Sequence, residues 1–351
     1  MPTATPIPEP HTLQCMEVWG GNDAVQSAVS MPGLDAWVYS RPHQGDAAGG
    51  DVHYLSSCAT GRITRLLIAD VSGHGLRVAD IAVRLRNLMR QFVNYLDQTR
   101  FVESLNREFI GREAGSFATA VLGTYWAPTR YLVTCNAGHP RPIRYHAATG
   151  QWSFIRRDDS DAEGRGAMGR DATRRDEEGE RAGDPGAARA ASDADAPSNL
   201  PLGVLDASRY DQLGVRLDEN DLVILYTDSL IEAKDAGGRL LGEAGLIELL
   251  RDLGPGDPET LAARVVARAE SFNQGRPLDD DATMLVMRCN AERTRRGLGE
   301  SIAAAWYFMG LVIARLLGGT TPIPWPELRL ANVGGAIVPW FNRLWRGPQD
   351  G

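Results

Sequence analysis

The stretch Leu66-Leu67-Ile68-Ala69-Asp70-Val71-Ser72-Gly73-His74-Gly75-Leu76 determines how the rest of the chain is interpreted. A short apolar run ends in one aspartate, and a glycine-containing turn then leads into a long helical pattern. This order predicts a buried strand that carries a carboxylate to the edge of a core, where the turn lets the backbone approach a ligand. A single aspartate in this position is more commonly a helix N-cap or a turn residue. The metal-ligand interpretation therefore depends on further carboxylates in similar positions.

Three further aspartates occupy such positions. Asp51 follows Gly49-Gly50, Asp228 follows the apolar run 222–227, and Asp280 precedes the apolar run 282–287. Carboxylate oxygens without a nearby histidine or cysteine favour Mg²⁺ or Mn²⁺ over zinc. A pair of such ions bridged by one aspartate would hold and acidify a water for attack on a phosphorus ester. The residues alone leave two alternatives, a two-metal centre and a set of turn-forming aspartates.

The composition limits the functional class. The chain has 351 residues, 43% of them hydrophobic, which is enough for one large domain or two small ones. The net charge of −8 argues against nucleic acid as a partner and suits a protein that gathers divalent cations. The four cysteines (Cys15, Cys58, Cys135 and Cys289) are far apart, and no apolar signal core precedes them. We therefore expect reduced thiols and a cytoplasmic protein.

Residues 13–290 alternate between strand patterns and helical patterns, which predicts an α+β fold with antiparallel sheets. The predicted strands are 34–40, 52–59, 62–69, 117–126, 131–137, 142–146, 152–155, 210–217, 222–226 and 282–288. The predicted helices are 76–96, 101–110, 241–253 and 259–274. The helix 76–96 is amphipathic and follows directly after the Asp70 turn.

Three segments differ from this domain in composition. Residues 1–12 are predicted to be disordered or extended. Residues 156–198 are almost wholly small or charged and predict a disordered insertion. Residues 291–351 predict a helix and an aromatic-rich tail, in which the apolar run 302–314 is shorter than the roughly 18 residues of a membrane span. Within this tail, residues 301–345 either pack on the domain itself or contact a partner or a membrane surface.

The order of the short motifs resembles that of the metal-dependent protein phosphatases (PPM), in the bacterial branch typified by the sporulation phosphatase SpoIIE. The matching pieces are Gly49-Gly50-Asp51, Ala69–Gly75, Phe117-Ala118-Thr119-Ala120, Asn136–Pro140, Leu200–Gly203, Tyr226-Thr227-Asp228 with Glu232, and Asp280–Thr283. Each piece is weak alone, but seven of them in this order make a strong signal.

This resemblance implies an αββα sandwich, two antiparallel sheets flanked by helices, with a two-metal site at one edge. It implies that Asp70 bridges two Mn²⁺ or Mg²⁺ ions and acts with a metal-bound water, beside the Val71 backbone carbonyl. Asp51 would serve one metal, and Asp228 and Asp280 the other. Asp281 would support these ligands without binding a metal, although a slip of one residue within Asp279-Asp280-Asp281 is an alternative.

The sequence departs from the family pattern at three positions. Tyr54 stands where relatives often have an aspartate, and Ser229 replaces the glycine usual after the Tyr-Thr-Asp aspartate. Ser72 occupies the place of a histidine that eukaryotic members carry as a proposed general acid. For His74 and His139, loop-stabilising hydrogen bonds are the more common role.

The resemblance implies a protein Ser/Thr phosphatase that acts on phosphoserine or phosphothreonine of a regulatory protein. In this branch the substrates are antagonists of anti-sigma factors in bacterial partner switching. A catalytically weak phosphoprotein-binding module of the same fold is the alternative, and a second copy of the chain is a further expected partner. The helix 76–96 is interpreted as a switch that completes the metal site, against the more common role of a helix that only covers the sheet.

Overall fold

A computed structural model of the chain describes residues 10–14, 17–58, 61–72, 76–92, 98–110, 117–156 and 198–290, together with 306, 309, 310 and 313. The strands are β1 His11–Thr12, β2 Val18–Asp23, β3 Val25–Met31, β4 Leu34–Arg41, β5 Ala48–Ser57, β6 Ile63–Val71, β7 Ala118–Trp126, β8 Tyr131–Ala137, β9 Ile143–His146, β10 Gln151–Phe154, β11 Gln212–Arg216, β12 Leu222–Tyr226 and β13 Ala282–Cys289. The helices bounded by described residues are α1 Leu76–Phe92, α2 Gln98–Phe109, α3 Gly242–Leu253 and α4 Pro258–Phe272.

The strands form two sheets. One has the order β1-β3-β4-β13-β12-β9-β10, and the other has the order β11-β8-β7-β6-β5-β2. All pairings within the sheets are antiparallel except that between β1 and β3. The central pair of the first sheet joins β4 to β13 over eight residues, although the two strands are far apart in the sequence.

Apolar side chains fill three layers. The layer between the sheets takes residues from both of them, including Ile68, Val223 and Leu285. Helices α1 and α2 cover the outer face of the six-stranded sheet, and α3 and α4 cover the outer face of the seven-stranded sheet. The predicted αββα sandwich is therefore confirmed.

Helix α1 follows the predicted period. Val78, Ala82, Leu85 and Met89 are buried against the sheet, whereas Val83 is exposed. These buried positions recur every three or four residues, which places them on one helix face. Tyr54 of β5 fixes this helix to the sheet, because its hydroxyl donates a 2.7 Å hydrogen bond to the carbonyl of Ala82.

The structure differs from the prediction near the N-terminus. Strands β2 and β3 were not predicted, because the Gly20-Gly21 pair and the polar residues of residues 18–31 give a weak period-two pattern. At the end of the segment 1–12, which was predicted to be disordered or extended, His11 and Thr12 form the short strand β1 and pair with β3. Strand β5 begins at Ala48, so the glycine pair and Asp51 lie within a strand and not after a loop.

Several predictions concern residues outside the described ranges. These are residues 1–9, residues 157–197 of the predicted insertion, His74, the end of the predicted helix 76–96, and residues 291–351 apart from the four described ones. Among those four, the side chains of Trp306, Met309 and Ile313 are exposed. The interpretation of 301–345 as a contact surface stays a prediction. Within the described parts of the chain, no helix is both long and apolar enough to cross a membrane.

Candidate metal centre

The first two aspartates lie on neighbouring strands of the six-stranded sheet. Asp51 of β5 and Asp70 of β6 are direct cross-strand partners. Both strands are pinned at this end by the alternating apolar residues that face the inter-sheet layer. The antiparallel register therefore holds the two carboxylates side by side at one edge of the sandwich.

The other two aspartates come from the seven-stranded sheet. Asp228 begins a short 3₁₀ helix, Asp228–Leu230, just after β12, and Asp280 precedes β13 by two residues. Because β12 and β13 are antiparallel and Tyr226 pairs with Met284, these strand ends lie at the same edge. Thr227 joins the two sheets there, since its hydroxyl donates a 2.8 Å hydrogen bond to the Asp51 carboxylate.

The pKa of Asp70 reports how closely these carboxylates approach. Burial, and then the negative charges of Asp228, Asp280, Asp281 and Glu232, together raise this pKa to about 7. Carboxylates from both sheets thus act on one carboxyl group. Such a group binds a proton or a cation more readily than an isolated aspartate does.

Asp51 and Asp228 show the same effect. Burial holds the pKa of Asp51 well above its usual range, and repulsion from Asp70 adds to this. The hydrogen bonds from Thr227 and Thr283 act against it. The pKa of Asp228 is raised by burial and then by Asp280. The site therefore concentrates negative charge in a partly buried environment, and bound divalent cations would neutralise that charge.

Asp281 has a different environment. Its carboxylate accepts hydrogen bonds from the backbone N–H groups of His43 (2.6 Å) and Gly50, with a longer contact from Asp51 (3.4 Å). A side chain at Gly49 would collide with this carboxylate. Asp281 therefore holds the β5 backbone that carries Asp51. Its supporting role beside bound metal stays a prediction.

The Val71 carbonyl lies beside Gly50. A Cβ atom built on Gly50 would be 3.0 Å from the Val71 oxygen and 3.6 Å from Asp70 Oδ1. Only a residue without a side chain leaves this space open beside two oxygen donors. Hard oxygen donors around a small cradle fit Mg²⁺ or Mn²⁺, so the residues present suit the cations that the resemblance implied.

Some residues of this edge were not predicted as site residues. Glu232 follows the 3₁₀ helix and is exposed, and its pKa is raised by burial and then by Asp228 and Asp280. Thr227 and Thr283 are buried and hydrogen-bonded to each other and to the Asp51 carboxylate. Glu232 was part of a quoted motif, whereas the threonine contacts depend on how the two sheets are packed.

Three of the motifs that carry the family resemblance pack against one another next to Asp70. They are Phe117–Ala120, Asn136–Pro140 and Leu200–Gly203. The Asn136 side chain closes the turn to His139 with two 2.8 Å hydrogen bonds, and Gly138 packs against Pro201. His139 Nδ1 lies 2.7 Å from the hydroxyl of Thr119, the cross-strand partner of Asp70. Burial lowers the pKa of His139 to about 3. This histidine is neutral at pH 7 and has the structural role that was expected.

The three residues that depart from the family pattern, Tyr54, Ser72 and Ser229, have different surroundings. Tyr54 is three residues from Asp51, so the two side chains point to opposite faces of β5, and Tyr54 packs under α1. The Ser72 hydroxyl bonds both the carbonyl (2.7 Å) and the N–H (3.0 Å) of Phe117. Ser229 is buried, and its hydroxyl has no hydrogen-bond partner among the described residues. Tyr54 and Ser72 are thus structural at these positions.

Another group of possible ligands lies elsewhere. His146, Asp218 and Asp221 have ligand atoms within 4.8 Å of one another, and in the described ranges no other such group of three exists. Asp221 is fully engaged, since it pairs with Arg144 at 2.6 Å and accepts the N–H groups of Ala147 and Asp218. A guanidinium already neutralises this carboxylate.

Solved structures with this architecture identify the fold. The chain is similar to the RsbU and RsbW domains of a Mycobacterium tuberculosis protein, with 22% identity over 77% of this chain and a TM-score of 0.54. It spans 63% of that chain. It is similar to the PP2C phosphatase domain, with a fragment of the regulatory domain, of Bacillus subtilis SpoIIE (13% identity, 78% of this chain, 71% of that chain, TM-score 0.55). It is also similar to the SiaA PP2C domain of Pseudomonas aeruginosa (16% identity, 72% of this chain, 85% of that chain, TM-score 0.52). The fold is therefore that of the PP2C-type phosphatases.

The family follows from the sequence itself. The model of the Stage II sporulation protein E (SpoIIE) family matches residues 60–159 and 186–290, more than half of the chain. The chain belongs to the SpoIIE family, as its motifs predicted. Comparison with the curated proteins gave no match.

Proposed function

We propose that the chain hydrolyses phosphoserine or phosphothreonine on a regulatory protein, using two Mn²⁺ or Mg²⁺ ions held by Asp51, Asp70, the Val71 carbonyl, Asp228 and Asp280. The observation that carries this proposal is the meeting of carboxylates from both sheets at one edge of the sandwich, where Asp51 pairs with Asp70 and the ends of β12 and β13 bring Asp228 and Asp280. Burial and these neighbouring charges raise the pKa of Asp70 to about 7. When bound, such cations supply an acidified water and neutralise the charge on the phosphoryl oxygens.

The residues of the chain have distinct tasks in this proposal. Asp70 is close enough to carboxylates of the other sheet to feel their charge and would be shared between the cations, whereas Asp51 is fixed by the Thr227 hydroxyl. Asp281 keeps the β5 backbone in place through its accepted hydrogen bonds. Because His139 is neutral and the Ser72 hydroxyl bonds the backbone of Phe117, neither serves as the general acid. The leaving oxygen takes its proton from water.

The setting of the reaction is part of the proposal. We expect a bacterial partner-switching pathway, in which the substrate is an antagonist of an anti-sigma factor, and a cytoplasmic location. Cys58, Cys135 and Cys289 are buried thiols that form no disulfide among the described residues, which is typical of a reducing compartment. The alternative of a catalytically weak binding module gains nothing from Tyr54, because that side chain lies on the far face of β5.

The test is hydrolysis of p-nitrophenyl phosphate and of a phosphoserine protein after removal of metal and readdition of Mn²⁺ or Mg²⁺. Wild-type protein should turn over both substrates only with metal. Asp70→Asn and Asp280→Asn should lose at least about a hundredfold in rate. The matched control is Asp279→Asn, because Asp279 is the neighbouring exposed aspartate and lies 3.9 Å from Lys234.

Each outcome has a defined meaning. If the protein hydrolyses p-nitrophenyl phosphate with metal but does not hydrolyse the phosphoserine protein, it is a phosphohydrolase of small molecules and the proposal is wrong. Binding of the phosphoprotein without turnover would favour the binding module. A larger loss in Asp279→Asn than in Asp280→Asn would move the ligand assignment by one residue.

A further inference from the structure

Exposed apolar side chains are concentrated beside the candidate metal centre. Among the described residues between 10 and 290, five large apolar side chains are exposed. Three of these five are Phe117 (45% exposed), Val204 (53%) and Leu205 (41%). We call these three residues the Phe117 patch. Isolated exposed apolar side chains are ordinary, but a group of them is typical of a contact surface.

The two segments of this patch are joined by backbone hydrogen bonds. Ala118 and Leu202 form an antiparallel bridge, with N–H to carbonyl distances of 3.0 and 2.8 Å. Asn106 of α2 holds the following loop, since it accepts from the N–H of Gly203 and donates to the carbonyl of Leu205. The patch is therefore presented by a fixed backbone and not by a free loop.

The patch is also continuous with the candidate metal centre. Phe117 is bonded to Ser72 through the backbone (3.0 Å) and through the Ser72 hydroxyl. Ser72 directly follows Val71, whose carbonyl belongs to the proposed ligand set. A protein that brings a phosphoserine to Asp70 must therefore come within reach of Phe117.

We propose that the Phe117 patch binds an apolar side chain of the phosphoprotein substrate, close in sequence to its phosphorylated residue. This inference rests on the proposed function and adds a source of substrate selectivity to it. An extended chain advances about 3.3–3.6 Å per residue, so a side chain two to four residues from the phosphoserine can reach a surface about 7–14 Å away from it. The candidate centre contributes mainly carboxylates, so apolar contact at the patch supplies an attraction that the acidic residues do not.

The test uses nine-residue peptides with a central phosphoserine. One set carries leucine two, three or four residues from the phosphoserine, and the matched set carries glutamine there. Burying a leucine in part is worth about tenfold in kcat/KM, which is the preference expected of the wild-type protein. In Val204→Ser/Leu205→Ser the preference should fall to about twofold or less, while turnover of p-nitrophenyl phosphate with Mn²⁺ is unchanged. The control variant is Val83→Ser on α1, which is 59% exposed and should keep the preference.

The outcomes separate this inference from the proposed function. An equal rate on both peptide sets, or a preference that survives in the double variant, overturns the docking inference and leaves the phosphatase proposal standing. A change of oligomeric state in the double variant, measured by light scattering, assigns the patch to self-association and overturns it as well. Absence of turnover of every phosphoserine peptide and of p-nitrophenyl phosphate by the wild-type protein overturns both.

Discussion

Replacing Asp70 by asparagine should stabilise the metal-free protein. The pKa of this carboxyl rises from 3.8 to about 7 on folding, through burial and through the surrounding carboxylates. Such a rise corresponds to about 4 kcal/mol of unfavourable free energy when the group is ionised in both states. The Asp70 side chain is partly exposed, so solvent screens some of this repulsion. We expect Asp70→Asn to gain about 2–3 kcal/mol in free energy of unfolding near pH 8.

The gain should depend on pH in one direction. Below about pH 4 the carboxyl is protonated in the folded and unfolded states, so the substitution has little effect. As the pH rises from about 4 to about 7, only the unfolded chain releases the proton, and the wild-type protein loses stability. Above about pH 7 this loss is complete. Asparagine does not titrate, so the free energy of unfolding of Asp70→Asn exceeds that of the wild-type protein by a growing amount over this pH range.

The assay is urea unfolding followed by tryptophan fluorescence, in EDTA at pH 5 and pH 8 and then in Mn²⁺. The control is Asp252→Asn on α3, because Asp252 is exposed and distant from the strand ends. Mn²⁺ should stabilise the wild-type protein and leave Asp70→Asn unchanged. A gain of the same size at both pH values, or an equal response of both proteins to Mn²⁺, would refute the argument.

Three other substitutions test neighbouring contacts. Gly50→Ala places a methyl group 3.0 Å from the Val71 carbonyl and should weaken Mn²⁺ binding about tenfold by calorimetry, whereas Gly21→Ala in β2 should not. Thr227→Val removes the hydrogen bond that lowers the pKa of Asp51, so Mn²⁺ binding should weaken more at pH 6 than at pH 8; equal weakening would contradict this. Tyr54→Phe leaves the Ala82 carbonyl without its 2.7 Å donor and should cost about 1 kcal/mol in urea unfolding. If α1 sets the metal site, Tyr54→Phe also raises the Mn²⁺ concentration needed for half-maximal phosphatase rate, and an unchanged requirement leaves α1 as a cover for the sheet.

Much of the fold could be predicted because its strands have strong local patterns. β12 is continuously apolar, is bounded by turn residues, and was predicted with its observed limits. Helix α1 has an apolar face with the helical period, and its start at Leu76 was also predicted. β2 and β3 lack such a pattern in their own residues. They are strands because β2 pairs with β5 and β3 pairs with β4. Long-range partners decide such strands.

The site was only partly accessible from the sequence. Asp51, Asp70, Asp228 and Asp280 could be proposed because each stands in the sequence beside a glycine pair or an apolar run, and the structure brings all four to one edge. Their assignment as metal ligands stays a prediction. The hydrogen bond from Thr227 to Asp51 joins residues on different sheets. No local pattern indicates such a contact, because it depends on how the two sheets are aligned.

The separation of the four aspartates along the chain has a consequence for protein synthesis. Strand β4 is complete by Arg41, but its neighbour β13 begins only at Ala282. A ribosome adds about 5–20 residues per second, so β4 waits at least about ten seconds for that partner. During this interval the growing chain exposes an unpaired strand edge, which chaperones commonly protect. The carboxylates meet only after Asp280 has emerged, so the candidate metal centre cannot form on an unfinished chain.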